Sequence, residues 1–234
     1  MLYDFKKLTE REKEVLVWIA RHTFVTANQV EKMFGVSRRI AYRILKKLKD
    51  YEYLNNELLV RKLGVYYATK EGMEVAGIDM NPTSKVSNLA EVRHELMIVD
   101  LEVFLTLQDK KENVESEWLT SKEIKREKYR NADKIPGVNS GTLVKGVKDE
   151  LPDAYWIKAG HKAAMEVELS RKDKKRIEKK LKIYDSEISN GSIAAVMYYT
   201  DLEGIKNLIE SQRGVMKNHS RLIVRDFPEI KEGE

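Results

Sequence analysis

Apolar positions Val15, Leu16, Ile19 and Ala20 recur at the spacing of one helix face. Ahead of them Thr9 and Glu12 have capping-box spacing, so a helix is expected to start at Thr9. Thr26 with Gln29 repeats that signal and opens a short helix carrying Val30 and Phe34, which Gly35 ends. Ser37 then caps a third helix, whose apolar stripe reads Ile40, Ala41, Ile44, Leu45 and Leu48. Two alternating runs, Tyr53 to Val60 and Gly64 to Ala68, predict a hairpin with its tip at Arg61, Lys62, Leu63 and Gly64. Thr69 starts a further helix through Val75, and residues 79–88 read as an interdomain linker.

Beyond the linker the pattern predicts a helix from Leu89 to Leu107, a strand around Trp118, and a polar loop over residues 130–150. Strands follow at Ala154 to Ile157 and Lys162 to Leu169. A charged helix runs from Arg171 to Ile188, then a strand from Ser192 to Thr200, a helix from Leu202 to Val215 and a strand from Arg221 to Phe227. Strands and helices interleaved in this way predict an α/β domain, so the chain reads as α+β followed by α/β, in two domains. No internal repeat is visible.

Composition narrows the chemistry. The 234 residues hold no cysteine and four histidines, which excludes disulfides and thiolate metal sites and argues against zinc. The longest apolar stretch, around Ile193 to Tyr199, is too short for a membrane span, and the start Met1 to Lys7 lacks a secretory layout; a cytoplasmic protein with no membrane partner is expected. Net charge is +5, and its placement matters more than its size. Residues 1–83 carry 15 Lys and Arg against 11 Asp and Glu, whereas the rest carries 28 against 27. The basic excess therefore sits in the N-terminal part, as contact with phosphates requires.

That excess concentrates on the Ser37 helix. Six basic residues, Arg38, Arg39, Arg43, Lys46, Lys47 and Lys49, occur there with no acid among them. Arg39, Arg43 and Lys46 share a face, with Arg38, Tyr42 and Lys49 beside it, opposite the apolar stripe. Such a helix suits a DNA major groove. Arg38, Arg39 and Arg43 are expected at guanine edges, Tyr42 at a base or phosphate, Lys46, Lys47 and Lys49 at phosphates, and Arg61 and Lys62 of the hairpin at backbone or minor groove. The alternative is a solvated basic helix that makes only protein contacts.

The order of elements over residues 8–78 resembles a winged helix-turn-helix, and Tyr66 to Gly72 (Tyr-Tyr-Ala-Thr-Lys-Glu-Gly) is similar to the segment that leaves the wing in many bacterial regulators. The second half resembles the restriction-endonuclease-like superfamily, and the whole chain resembles the replication-relaxation family of plasmids and other mobile elements. The matching residues are Arg93-His94-Glu95, Pro152-Asp153-Ala154, Glu166-Val167-Glu168-Leu169-Ser170, and the basic helix Arg171 to Lys182 closing on Tyr184. The resemblance implies a winged-helix domain over residues 1–80, a linker at 81–89, and a restriction-endonuclease-like α/β domain over 90–234.

It also implies chemistry. In such folds an aspartate and a glutamate on adjacent strands hold Mg²⁺ or Mn²⁺, which activates water against a phosphodiester. Asp153 and Glu166 match those positions as metal ligands, Glu95 matches a helix carboxylate some members add, and Glu166 and Glu168 point to one face of a strand. Glu168 stands where a lysine is usual, leaving Lys172, Lys175 or Lys179 as replacements. Pairing of Asp153, Glu166 and Glu168 with neighbouring Lys and Arg is the structural alternative.

Three functions follow. One is a DNA-binding protein that recognises a duplex site and controls replication, relaxation or transcription. It would have a nuclease-like but inactive second domain and need no cofactor to bind DNA. Another is an Mg²⁺- or Mn²⁺-dependent nuclease or nickase with catalytic Asp153, Glu166, Glu168 and Glu95. A protein-binding adaptor is a third. Expected partners are double-stranded DNA, a second copy of the chain through the apolar positions of the Leu89–Leu107 helix, and replication or transcription proteins.

Overall fold

A computed structural model describes residues 8–59, 63–83, 86, 88–132, 151–170 and 173–228. The chain forms two compact units, Met1–Leu107 and Gln108–Glu234.

The first unit opens with α1 (Glu10–Arg21), β1 (Val25–Thr26), α2 (Ala27–Phe34) and α3 (Arg38–Asp50). It continues with β2 (Leu54–Leu58), β3 (Gly64–Ala68) and α4 (Lys70–Val75). Both expected capping boxes form: Thr9 with Glu12, and Thr26 with Gln29. Gly35 ends α2 at φ 59°, a left-handed conformation that a Cβ would strain. The three strands pair antiparallel in the order β1-β3-β2, the two-residue β1 adding a strand to the expected hairpin. Val15, Leu16, Ile19, Val30, Ala41, Ile44, Leu45 and Leu48 build the core between the helices. This is the winged helix-turn-helix arrangement.

The wing hairpin is locked to α4 through Thr69. Its backbone N–H donates to Tyr53 O at 3.0 Å, its hydroxyl donates to Glu52 O at 2.7 Å, and the same oxygen accepts from the Gly72 N–H at 2.9 Å. Gly72 approaches so closely that a Cβ there would lie 2.0 Å from Tyr53 O. The close approach explains why Gly72 ends the wing-exit segment.

α5 (Leu89–Glu112) shifts the domain boundary. The division falls between Leu107 and Gln108, inside this helix, and not at residues 81–89. Polar ties hold α5 to the winged helix. The buried Gln29 amide donates 2.8 Å bonds to Leu96 O and Asp100 Oδ1, and Trp18 Nε1 donates to Glu102 Oε1 at 3.1 Å. His22 Nε2 lies 2.8 Å from Glu102 Oε2. Val99 and Val103 join the helical core, while Val92 and Leu96 pack with Phe24, Val65 and Tyr67. The sequence places all these polar partners far apart, so no local signal announced the packing. Val92, Leu96, Ile98, Val99, Leu101, Val103 and Leu105 are all buried within the single chain. Leu89, at the start of the same helix, is exposed.

The second unit contains β4 (Ser116–Thr120), α6 (Ser121–Ala132), β5 (Ala154–Lys158), β6 (His161–Val167), α7 (Lys174–Ser189), β7 (Ala195–Tyr199), α8 (Glu203–Ser211) and β8 (Leu222–Arg225). The strands form one sheet in the order β4-β5-β6-β7-β8. The first three run antiparallel as a meander, and β6, β7 and β8 are parallel, with α7 and α8 as crossovers. α6 occupies a stretch where the periodicity indicated no element. Residues 133–150, most of the expected loop, lie outside the described residues. Ile177, Leu181 and Tyr184 of α7 and Ile205 and Ile209 of α8 share one core with Ala164, Val196 and Tyr198 of the sheet. The α/β expectation holds.

Candidate nucleic-acid interface and acidic cluster

α3 presents a basic surface because its stripe is consumed by the core. Ala41, Ile44, Leu45 and Leu48 are buried, while Ser37, Arg38, Arg39, Tyr42, Arg43, Lys46 and Lys49 are exposed. Ser37 Oγ accepts the Ile40 N–H and starts the helix. The Arg38 guanidinium lies 5.9 Å from the Tyr42 ring centroid, within reach of a cation–π contact. Arg38 and Tyr42 also line a cleft that reaches the wing at Asn56, Leu58 and Tyr66 and has Asp100 at its edge. Burial pushes the Asp100 carboxyl above its usual value, against the lowering effect of Gln29 and the Lys32 charge.

Two α3 residues depart from expectation. Lys47 is not on the open arc: its Nζ sits 2.7 Å from Glu12 Oε2 of α1 and 5.7 Å from the Tyr51 ring centroid. Partial burial pushes Glu12 up, yet the Lys47 hydrogen bond and charge, with bonds from Thr9, hold it below its usual value. Ile40, expected in the buried stripe, is 36% exposed. It stands at the edge of the stripe, outside the core cluster. Arg61 and Lys62 at the wing tip lie outside the described residues.

In the second unit the β5–β6 pairing brings the predicted acids together. Asp153 precedes β5, where its N–H donates to Met165 O at 3.1 Å and its Oδ2 accepts the Val167 N–H at 2.8 Å. Glu166 lies on β6 beside Tyr198 of β7 and is fully buried. Its Oε2 is 2.6 Å from Lys180 Nζ, and its Oε1 accepts from the Tyr184 hydroxyl. The Glu168 N–H donates to Tyr199 O at 3.0 Å, and its side chain is buried.

Lys180 is the cation these acids share. Burial pulls its pKa down, but the charges of Glu166, Asp153 and Glu168 together raise it above its ordinary value. The same excess of acid over base acts on Glu166. Burial, with a push from Asp153, raises it to about 7, although the Lys180 charge and the bonds from Lys180 and Tyr184 pull it down. Burial and the surrounding carboxylates likewise push the Tyr184 and Tyr198 phenols well up.

The lysine seen beside Glu166 is Lys180, which was not among the expected Lys172, Lys175 and Lys179; Lys172 lies outside the described residues. Lys180 is three residues after Ile177 and four before Tyr184, so helical spacing places it on the buried side of α7. That spacing was the available signal. Glu95 lies on α5, in the first compact unit.

These residues do not fit a resident Mg²⁺ or Mn²⁺. Both Glu166 oxygens are engaged by Tyr184 and Lys180, and one Asp153 oxygen is held by a backbone N–H. Among the described residues no three His, Asp or Glu side chains are grouped to hold a metal ion. For Glu166 the arrangement is the pairing of the structural alternative.

The chain is therefore a winged-helix protein with a second α/β unit in which a buried glutamate, Glu166, is paired with Lys180. A family model described as replication-relaxation matches residues 16–195, more than half of the chain. The chain belongs to the replication-relaxation family. No curated protein matches it. Among solved structures it is similar to the transcriptional regulator SlyA, at 20% identity over 45% of this chain and 77% of that one, TM-score 0.31. Lactococcus lactis ZitR, a zinc-responsive MarR family member, is 13% identical over 63% of this chain and 77% of that one, TM-score 0.30. Streptococcus pneumoniae FabT, in complex with DNA, is 18% identical over 48% of this chain and 76% of that one, TM-score 0.31. Among the described residues no helix is long and apolar enough to cross a membrane.

Proposed function

We propose that this protein recognises a specific duplex DNA site of a plasmid or other mobile element and thereby controls replication, relaxation or transcription there. One observation carries the reading: α3 exposes Arg38, Arg39, Tyr42, Arg43, Lys46 and Lys49 on one continuous arc while its opposite side is core. Arginines in the first two turns suit guanine edges, and the later lysines suit phosphates. The second unit, restriction-endonuclease-like in its order of elements, serves as a scaffold that grips flanking DNA or a partner protein.

Fluorescence anisotropy with duplexes selected from a random pool tests this. Arg39→Ala combined with Arg43→Ala should weaken the selected site by at least about tenfold while leaving weak binding to random duplex at low salt. Absence of any duplex binding, or a double variant that binds like the wild type, would sink the reading.

The Lys180 ammonium beside Glu166 favours the nuclease alternative in one respect, since a lysine does approach the acids. It also occupies the oxygen a cation would use. Supercoiled plasmid incubated with the protein in Mn²⁺ or Mg²⁺ should stay intact, as with Asp153→Ala. Nicking that Asp153→Ala abolishes would establish the nuclease instead.

A further inference from the structure

We propose that Ile40 reads the 5-methyl group of one thymine in the target site; the inference rests on the DNA-binding role proposed above. The core takes Ala41, Ile44, Leu45 and Leu48 from α3 and leaves Ile40 36% exposed. Ile40 is the third residue of the helix, with Arg39 directly before it and Arg43 one turn later, both exposed. A helical side chain leans toward the helix N-terminus, so the isoleucine points to the end of α3 that carries the arginines.

A β-branched residue in that place is favoured neither by helix propensity nor by solvent exposure. Its value lies in what it meets. In the major groove the thymine methyl is the one apolar feature of a base edge, and it distinguishes T·A from every other pair. Arginines donate to guanine and cannot detect that methyl. The pairing of an exposed aliphatic side chain with flanking arginines therefore assigns α3 a mixed readout: guanine edges by Arg39 and Arg43, and an adjacent thymine by Ile40.

The test uses the full chain and the duplex selected above. Each thymine is replaced in turn by deoxyuridine, which removes only the methyl, and affinity is measured for the wild type and for Ile40→Ala. At one position the wild type should lose about three- to fivefold, the worth of one buried methyl. Ile40→Ala should bind the thymine and deoxyuridine duplexes equally well. Because Ile40 is outside the core, the variant should keep its thermal melt.

A wild type indifferent to deoxyuridine everywhere, or an Ile40→Ala that keeps the full sensitivity, overturns the assignment while DNA binding stands. An Ile40→Ala that melts early shows the side chain to be core and overturns it too. A wild type that binds no duplex removes the DNA-binding role and this inference together.

Discussion

The Lys180 ammonium lies 2.6 Å from the Glu166 carboxylate, inside a second unit where Asp153 and Glu168 add negative charge around the same lysine. Glu166 is fully buried and Lys180 partly so, and each favours the charged form of the other. Removing one partner leaves an uncompensated charge, which costs far more than the net worth of the pair.

Lys180→Met should therefore destabilise the second unit by on the order of 3–5 kcal/mol. Combining it with Glu166→Gln should cost clearly less than the sum of the two single changes, because the double variant buries no unpaired carboxylate at that position. Urea unfolding of the four proteins measures this coupling, and additive losses would contradict it.

The raised Glu166 pKa gives a pH signature. The carboxyl moves from its ordinary 4.5 to about 7 in the folded chain, so between those values the folded state holds more proton than the unfolded one. Stability from this group is complete below pH 4.5 and is lost as pH rises toward 7. The stability of the wild type relative to Glu166→Gln should fall across that window and level off above it. A flat or rising difference would show that the carboxylate is ionised throughout.

Gly72→Ala places a Cβ 2.0 Å from the Tyr53 carbonyl oxygen, a backbone atom that cannot swing aside. The wing-to-α4 junction must shift, at a cost of about 2–3 kcal/mol. Thermal denaturation should show a lower melting temperature. Thr69→Ala, which removes the hydroxyl bonds to Glu52 O and Gly72 N–H, should cost about 1 kcal/mol.

Lys46 and Lys47 are adjacent in sequence and differ in duty. Lys46 is exposed on the α3 arc, whereas Lys47 is tied to Glu12. Lys46→Ala should reduce the salt slope of duplex binding by about one counterion. Lys47→Ala should leave the slope nearly unchanged and instead lower stability slightly. Equal slopes for the two variants would place both lysines on phosphates.

The elements of the first unit were legible because their signals are local. Thr9 with Glu12 and Thr26 with Gln29 each satisfy helix-end donors within four residues, and Gly35 needs only its own backbone. The basic arc of α3 was legible for the same reason, since six cations without an acid cannot all be core. The strand that Asp153 precedes and the strand carrying Glu166 were readable in the sequence, and their pairing then brought the acids together. α6 was missed because its sequence, Ser-Lys-Glu-Ile-Lys-Arg-Glu-Lys-Tyr-Arg, has too few apolar residues to show a period.

By itself, then, the sequence determined where the helices of the winged unit begin and end, which residues form the hairpin, and which helix is basic. All of these follow from contacts a few residues apart. Only tertiary packing decided that Ile40 is left at the surface, that Lys47 is spent on Glu12, that α5 joins the winged helix through Gln29 and Glu102, and that Lys180 closes over Glu166. A helical period names the residues that share a face. It cannot say how much of that face a neighbouring element covers, because coverage depends on a partner distant in the chain.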